Sequence, residues 1–124
     1  MKRFLFILTV FISFYQLSAQ TSSPVITLSI EEFKKAIAIE NVQLVDVRTP
    51  EEFKEGAIDG AINIDYFQQE TFEKEFEKLD KTKPIYIYCK SGNRSQKSSV
   101  ILDTMGFNEI YELKGGYTAW ADHD

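Results

Sequence analysis

The chain has 124 residues, 44% of them hydrophobic and 27% charged, with a formal net charge of −5. That length suits one globular domain and is short for two, and the composition argues against a disordered chain. The acidic balance argues against nucleic acid and anionic membrane surfaces as partners, because both reward clustered Lys and Arg. A single cysteine, Cys89, and a single histidine, His123, leave no internal disulfide and no Cys/His cluster for a metal.

Lys2 and Arg3 open the chain, Phe4 to Tyr15 is almost entirely apolar, and Gln16-Leu17-Ser18-Ala19-Gln20 is polar and small. This is the three-part pattern of a secretory signal peptide over residues 1–19, with cleavage expected after Ala19. Leu17, three residues before the cut, is bulkier than the usual small residue. The alternative is an uncleaved membrane anchor, but the apolar run is shorter than the roughly 20 residues of a spanning helix, and no stable membrane insertion is expected after cleavage. Without the leader, 12 basic and 19 acidic residues remain, a net charge of −7. An anion site in the domain, residues 25–124, therefore has to be built locally. Export to a periplasm is expected, or to the exterior where no outer membrane exists.

Along the domain, Val25 to Leu28 is a compact apolar run, and Ser29 with Glu32 forms a capping box that opens a helix to about Ile39. Val42 to Val47 is a buried strand. Thr49 and Glu52 form a second capping box, with Pro50 at N1, for a short helix that Gly56 stops. Ala61 to Ile64 is a strand. Tyr66 to Leu79 is a charged helix whose Phe72, Phe76 and Leu79 recur at core-facing spacing. Ile85 to Tyr88 is a strand, Asn93 or Arg94 to Met105 a helix closed by Gly106, and Ile110 to Leu113 the last strand. Gly115-Gly116 then turns the chain into a terminal helical piece around Ala119 and Trp120. Five strands alternating with helices imply an α/β fold, a mostly parallel sheet flanked by helices on both faces. Ligand sites in such sheets lie beyond the carboxyl ends of the strands, and Cys89 sits at one of those ends.

Tyr88-Cys89-Lys90-Ser91-Gly92-Asn93-Arg94-Ser95 reads as a strand end, a tight loop and a helix start. Small, turn-prone residues let successive backbone N–H groups point inward as a nest for an anion, and the helix dipole adds its positive end. Lys90 and Arg94 supply formal charge. Such surroundings favour a thiolate, so Cys89 is the candidate nucleophile. Asp46 and Arg48 end a neighbouring strand and could border the site; the preferred expectation is that Arg48 pairs with Glu52 or another acidic residue and fixes the loop that caps the next helix. Trp120 is expected to anchor the terminal segment in the core, and His123 to be a solvated tail residue.

Three stretches resemble the single-domain rhodanese, or sulfurtransferase, family, and together they span nearly the whole domain. Asp46-Val47-Arg48, continued by Gly56-Ala57-Ile58-Asp59-Gly60-Ala61-Ile62-Asn63-Ile64, is similar to one signature, with Ala57 where the family usually has His. Cys89 to Ser95 is similar to its active-site loop, and Leu113-Lys114-Gly115-Gly116 with Ala119-Trp120 to its closing motif. The chain stops soon after Trp120, so a truncated last helix is expected. The resemblance implies a rhodanese-like fold and sulfane-sulfur transfer without a cofactor. Cys89 would take sulfur from a small anion such as thiosulfate as a persulfide, held by Lys90, Ser91, Gly92, Asn93, Arg94 and Ser95. It would then pass the sulfur to cyanide, a thiol or a protein acceptor, the enzyme working as a monomer. Two alternatives remain at this level. One is a rhodanese-fold binding or sensing module, although such modules often lack the loop cysteine. The other is a cysteine phosphatase or arsenate reductase, although the four residues between Cys89 and Arg94 make a loop one residue shorter than that of tyrosine phosphatases.

Overall fold

The computed structural model describes residues 24–123, so the expected leader over 1–19 lies outside the described residues. Five strands, β1 (Val25–Leu28), β2 (Gln43–Asp46), β3 (Ile62–Asn63), β4 (Ile85–Tyr88) and β5 (Ile110–Leu113), form one sheet in the order β1-β5-β4-β2-β3. Every pairing is parallel. The helices are α1 (Ile30–Ile37), α2 (Pro50–Glu55), α3 (Gln69–Phe76), α4 (Asn93–Met105) and α5 (Gly116–Asp122).

Topology and handedness place the helices. The chain steps from β1 past two strands to β2 and on to edge strand β3, then returns through β4 to β5. Right-handed crossovers put outbound and returning connections on opposite faces. Accordingly, Phe33 of α1 and Ile58 after α2 pack with Leu44, Tyr88 and Leu113 on one face. Phe72 and Phe76 of α3 and Leu102 of α4 pack with Val45, Ile85, Ile87 and Ile110 on the other. The aromatic stripe of α3 is thus core, with Phe72 and Phe76 fully buried.

Both capping boxes form as expected. The Ser29 hydroxyl accepts from the Glu32 N–H and the Thr49 hydroxyl from the Glu52 N–H, each glutamate returning the bond to the cap's backbone. The third helix is shorter than its apolar spacing suggests. Asp65 accepts the Phe67 N–H at its carboxylate and the Gln68 N–H at its carbonyl, a turn that delays the helix to Gln69. At the other end, Leu79 N–H bonds back only three residues to Phe76. The β3 strand narrows to two paired residues at the sheet edge, although Ile64 N–H still donates to the Asp46 carbonyl. Trp120 meets Phe33 edge to face at 6.4 Å between ring centroids. His123 is exposed, as expected of a solvated tail residue, and lies 3.1 Å from a carboxylate oxygen of exposed Glu31.

Candidate active site

Cys89 follows central strand β4, with β2 and β5 on either side, so residues just past three strand ends surround it. The loop Cys89–Gly92 then feeds α4, whose first backbone bond runs from Gln96 N–H to the Gly92 carbonyl. Gly92 takes φ = +114°, a left-handed conformation that aims its N–H back at the thiol. That N–H donates to Cys89 Sγ at 3.0 Å. From the first turn of α4, the Ser95 hydroxyl lies 3.5 Å from Sγ. Cys89 is 1% exposed and Ser95 is fully buried, so the sulfur is a sheltered atom at a helix N-terminus, where negative charge is favoured.

The closing glycines hold this loop from below. Tyr117 N–H donates to the Cys89 carbonyl at 2.8 Å and Thr118 N–H to the Lys90 carbonyl at 3.0 Å. Such an approach requires Gly116. A Cβ there would sit 2.5 Å from the Lys90 oxygen and 2.6 Å from the Cys89 oxygen, on a backbone already at φ = +61°. With these two carbonyls turned toward α5, the loop N–H group that meets the sulfur is that of Gly92.

The rhodanese-like domain family matches residues 29–123 of this chain. It belongs to that family. Protein YqhL of Bacillus subtilis is 40% identical over 94 residues, 76% of this chain and 71% of the relative. The thiosulfate sulfurtransferase GlpE of Shewanella oneidensis is 32% identical over 93 residues, 75% of this chain and 89% of the relative. A rhodanese-like domain protein from Staphylococcus aureus, of known structure, is 33% identical with a TM-score of 0.66, covering 76% of this chain and 89% of that one. The chain is an enzyme of the sulfurtransferase class.

In this chain, the loop residues expected around the sulfur divide into distinct groups. Gly92 and Ser95 touch Cys89. Ser91 and Asn93 are exposed on the rim of a shallow cleft of about 560 Å³ that also carries Lys97 and Lys114. Lys90 is exposed on the opposite side, in a cleft of about 290 Å³ with Arg48, Glu52 and Tyr117. Arg94 is engaged by Glu52, at 2.6 and 3.0 Å in a bidentate fork, with its guanidinium 5.4 Å from the Phe67 ring centroid. The hydrogen bond to Arg94 holds the Glu52 carboxyl down at about 2. Glu52 therefore pairs with Arg94, and Arg48 takes the other acidic partner, Asp46.

The Asp46–Arg48 pair is buried, with 2.6 Å between Arg48 Nη2 and Asp46 Oδ2. Arg48 also donates to the Gly56 carbonyl at 2.6 Å and lies over the Tyr117 ring at 4.2 Å. These contacts tie the β2 end to the loop after α2, whereas the sequence reading has Arg48 fixing the loop that caps that helix; the acidic partner it expects is Asp46. Sequence reasoning passed over one residue behind the candidate nucleophile. Glu112, 3% exposed on β5, receives the Ser95 hydroxyl at 2.5 Å on Oε2. Thr27 donates to its Oε1 at 2.8 Å, and Gln96 Nε2 donates to the same oxygen. An acidic residue inside the otherwise apolar strand Ile110–Leu113 was the available signal.

Proposed function

We propose that this sulfurtransferase carries sulfane sulfur on Cys89, taking it from a small anionic donor such as thiosulfate and passing it to a thiol, cyanide or protein acceptor. The observation that supports this is the Gly92 N–H aimed at Cys89 Sγ from 3.0 Å at the start of α4. A thiolate or persulfide at that position is met by a fixed donor and the helix dipole, with no reorganisation needed at the moment of reaction. In the loading step the Cys89 sulfur attacks the outer sulfur of the donor. A Cys89 S–S bond forms, the donor's S–S bond breaks, and sulfite leaves with its electron pair. Discharge reverses the polarity: an external nucleophile takes the outer sulfur and the Cys89 thiolate returns. A lone cysteine suits this cycle, because no resolving thiol in the same chain competes for the persulfide.

The test is the intact mass of the purified protein before and after thiosulfate. One added sulfur on Cys89, removed by cyanide with thiocyanate released, is the expected result, with no gain in Cys89→Ser. Aryl phosphate hydrolysis without thiocyanate formation would favour the phosphatase alternative. The engagement of Arg94 by Glu52 speaks against that alternative, since the guanidinium fork is already occupied by a carboxylate. Residues 1–19 are proposed to export the enzyme as a monomer to the periplasm, or outside the cell where there is no outer membrane. The family match, which begins at residue 29, leaves that segment outside the domain. N-terminal sequencing of protein recovered from the envelope fraction would show a start at Gln20; an intact Met1 in the cytoplasm would reject export.

A further inference from the structure

Glu112 is the buried titratable group that the sulfur-transfer cycle leaves without a task. Its hydrogen bonds are ordered by chemistry. A carboxylate only accepts, so Thr27, Gln96 and Ser95 must all donate to it. Oε1 is held by the first two, and the Ser95 hydroxyl is directed at Oε2. The Gly92 carbonyl, 3.0 Å from Ser95 Oγ, is a longer and uncharged alternative acceptor and already takes the Gln96 N–H. With its one proton turned to Glu112, Ser95 presents a lone pair to Cys89 and accepts the thiol S–H. Among the described residues no cation pairs with Glu112; its compensation is three neutral donors.

We propose that Glu112 is a positioning residue that takes the Cys89 proton through Ser95. On activation the Sγ–H bond breaks and a Ser95 O–H forms, while the former Ser95 proton moves to Glu112 Oε2. The hydrogen-bond chain then runs in the opposite sense. Protonated Glu112 donates to Ser95, and Ser95 donates to the thiolate beside the Gly92 N–H. One proton is moved, none is lost to solvent, and the buried cluster keeps its total charge, which avoids creating a second buried anion. This inference rests on Cys89 being the nucleophile of the proposed function.

The experiment is the pH profile of iodoacetamide alkylation, read by intact mass, which is unambiguous because the chain has one cysteine. Other charged groups around the chain are Arg94 of α4 with Glu52 of α2, Asp46 with Arg48 after β2, and exposed Lys90, Lys97 and Lys114. None is altered in the variants. The wild type is expected to show a pH-insensitive plateau of reactivity through neutrality, below a final alkaline rise. Glu112→Gln and Ser95→Ala should each lose the plateau, slowing alkylation at neutral pH roughly tenfold or more. The double variant should be no slower than either single one. Thr27→Val, which loosens the same network but keeps the carboxylate, should retain the plateau and controls for folding. If Glu112→Gln reacts as fast as the wild type or faster, Glu112 merely repels the thiolate and the relay is wrong. Loss of the plateau in Thr27→Val overturns it equally. Alkylation needs no sulfur donor, so failure here is separate from failure of the wild type to gain sulfur from thiosulfate.

Discussion

Glu52 and Lys90 show how single charges divide between holding the site and serving it. Glu52 completes the capping box of α2 and grips Arg94 of α4, joining two elements 42 positions apart in the chain. Its carboxyl is held at about 2, below its ordinary 4.5, because Arg94 favours the charged form. A depressed carboxylate stabilises the fold above its ordinary range and loses that contribution as pH falls toward the depressed value. Glu52→Gln is therefore expected to cost about 1 kcal/mol at neutral pH, allowing for solvent screening of a partly exposed pair. The difference from wild type should shrink as pH drops from 4.5 toward about 2, measured by urea unfolding across that range. Lys90 has no such partner among the salt bridges of the described residues and stands exposed beside Arg48 in a cleft. Its replacement by Ala should raise the KM for thiosulfate roughly threefold with kcat little changed, the scale of one exposed charge. Added salt should erase the difference. An unchanged KM would remove Lys90 from donor binding.

Among the elements, α5 has the least obvious task. It has seven residues and buries only Gly116, yet the N–H groups of its second and third residues, Tyr117 and Thr118, fasten the carbonyls of Cys89 and Lys90. The closing Gly-Gly pair thus supports the Cys89 loop, although 25 residues separate Lys90 from Gly116. Gly116→Ala would push a methyl group to within 2.6 Å of both carbonyl oxygens on a left-handed backbone. Crowding and the backbone penalty together should destabilise the protein by about 2–4 kcal/mol. Because the displaced part is the loop itself, kcat should fall as well at temperatures where the variant is still folded. Normal kcat in a destabilised Gly116→Ala would mean that α5 supports the fold and not the loop geometry.

At the scale of the whole molecule, an acidic domain sets its proposed anion site where the end of a central strand meets the start of a helix. The sheet places Cys89 centrally, one helix N-terminus supplies the donor, and the core behind the sheet keeps both rigid. Phe72 and Phe76 meet at 4.6 Å between ring centroids beneath that face, in the same cluster as Cys89. Phe72→Ala should cost about 3–5 kcal/mol by denaturant titration, the range for truncating a buried aromatic side chain. A much smaller cost would mean that the face collapses around the missing ring.

Much of this was legible beforehand. Caps, glycine stops and apolar spacing are local, so Ser29, Thr49, Pro50 and Gly106 mark element ends in the sequence that the structure keeps. The loop from Cys89 to Ser95 is contiguous, so its thiol and its glycine could be read together. What stayed hidden is non-local. Whether Arg94 meets a substrate or Glu52, whether Arg48 meets Glu52 or Asp46, and whether Glu112 faces solvent or Ser95 depend on strand order and crossover side. The sequence by itself determined the elements and the family and pointed to Cys89 as the candidate nucleophile, because those signals lie within a few residues of one another. Only the tertiary structure decided which charges are engaged with each other and which carboxylate stands behind the sulfur, because these pairings are made across the sheet.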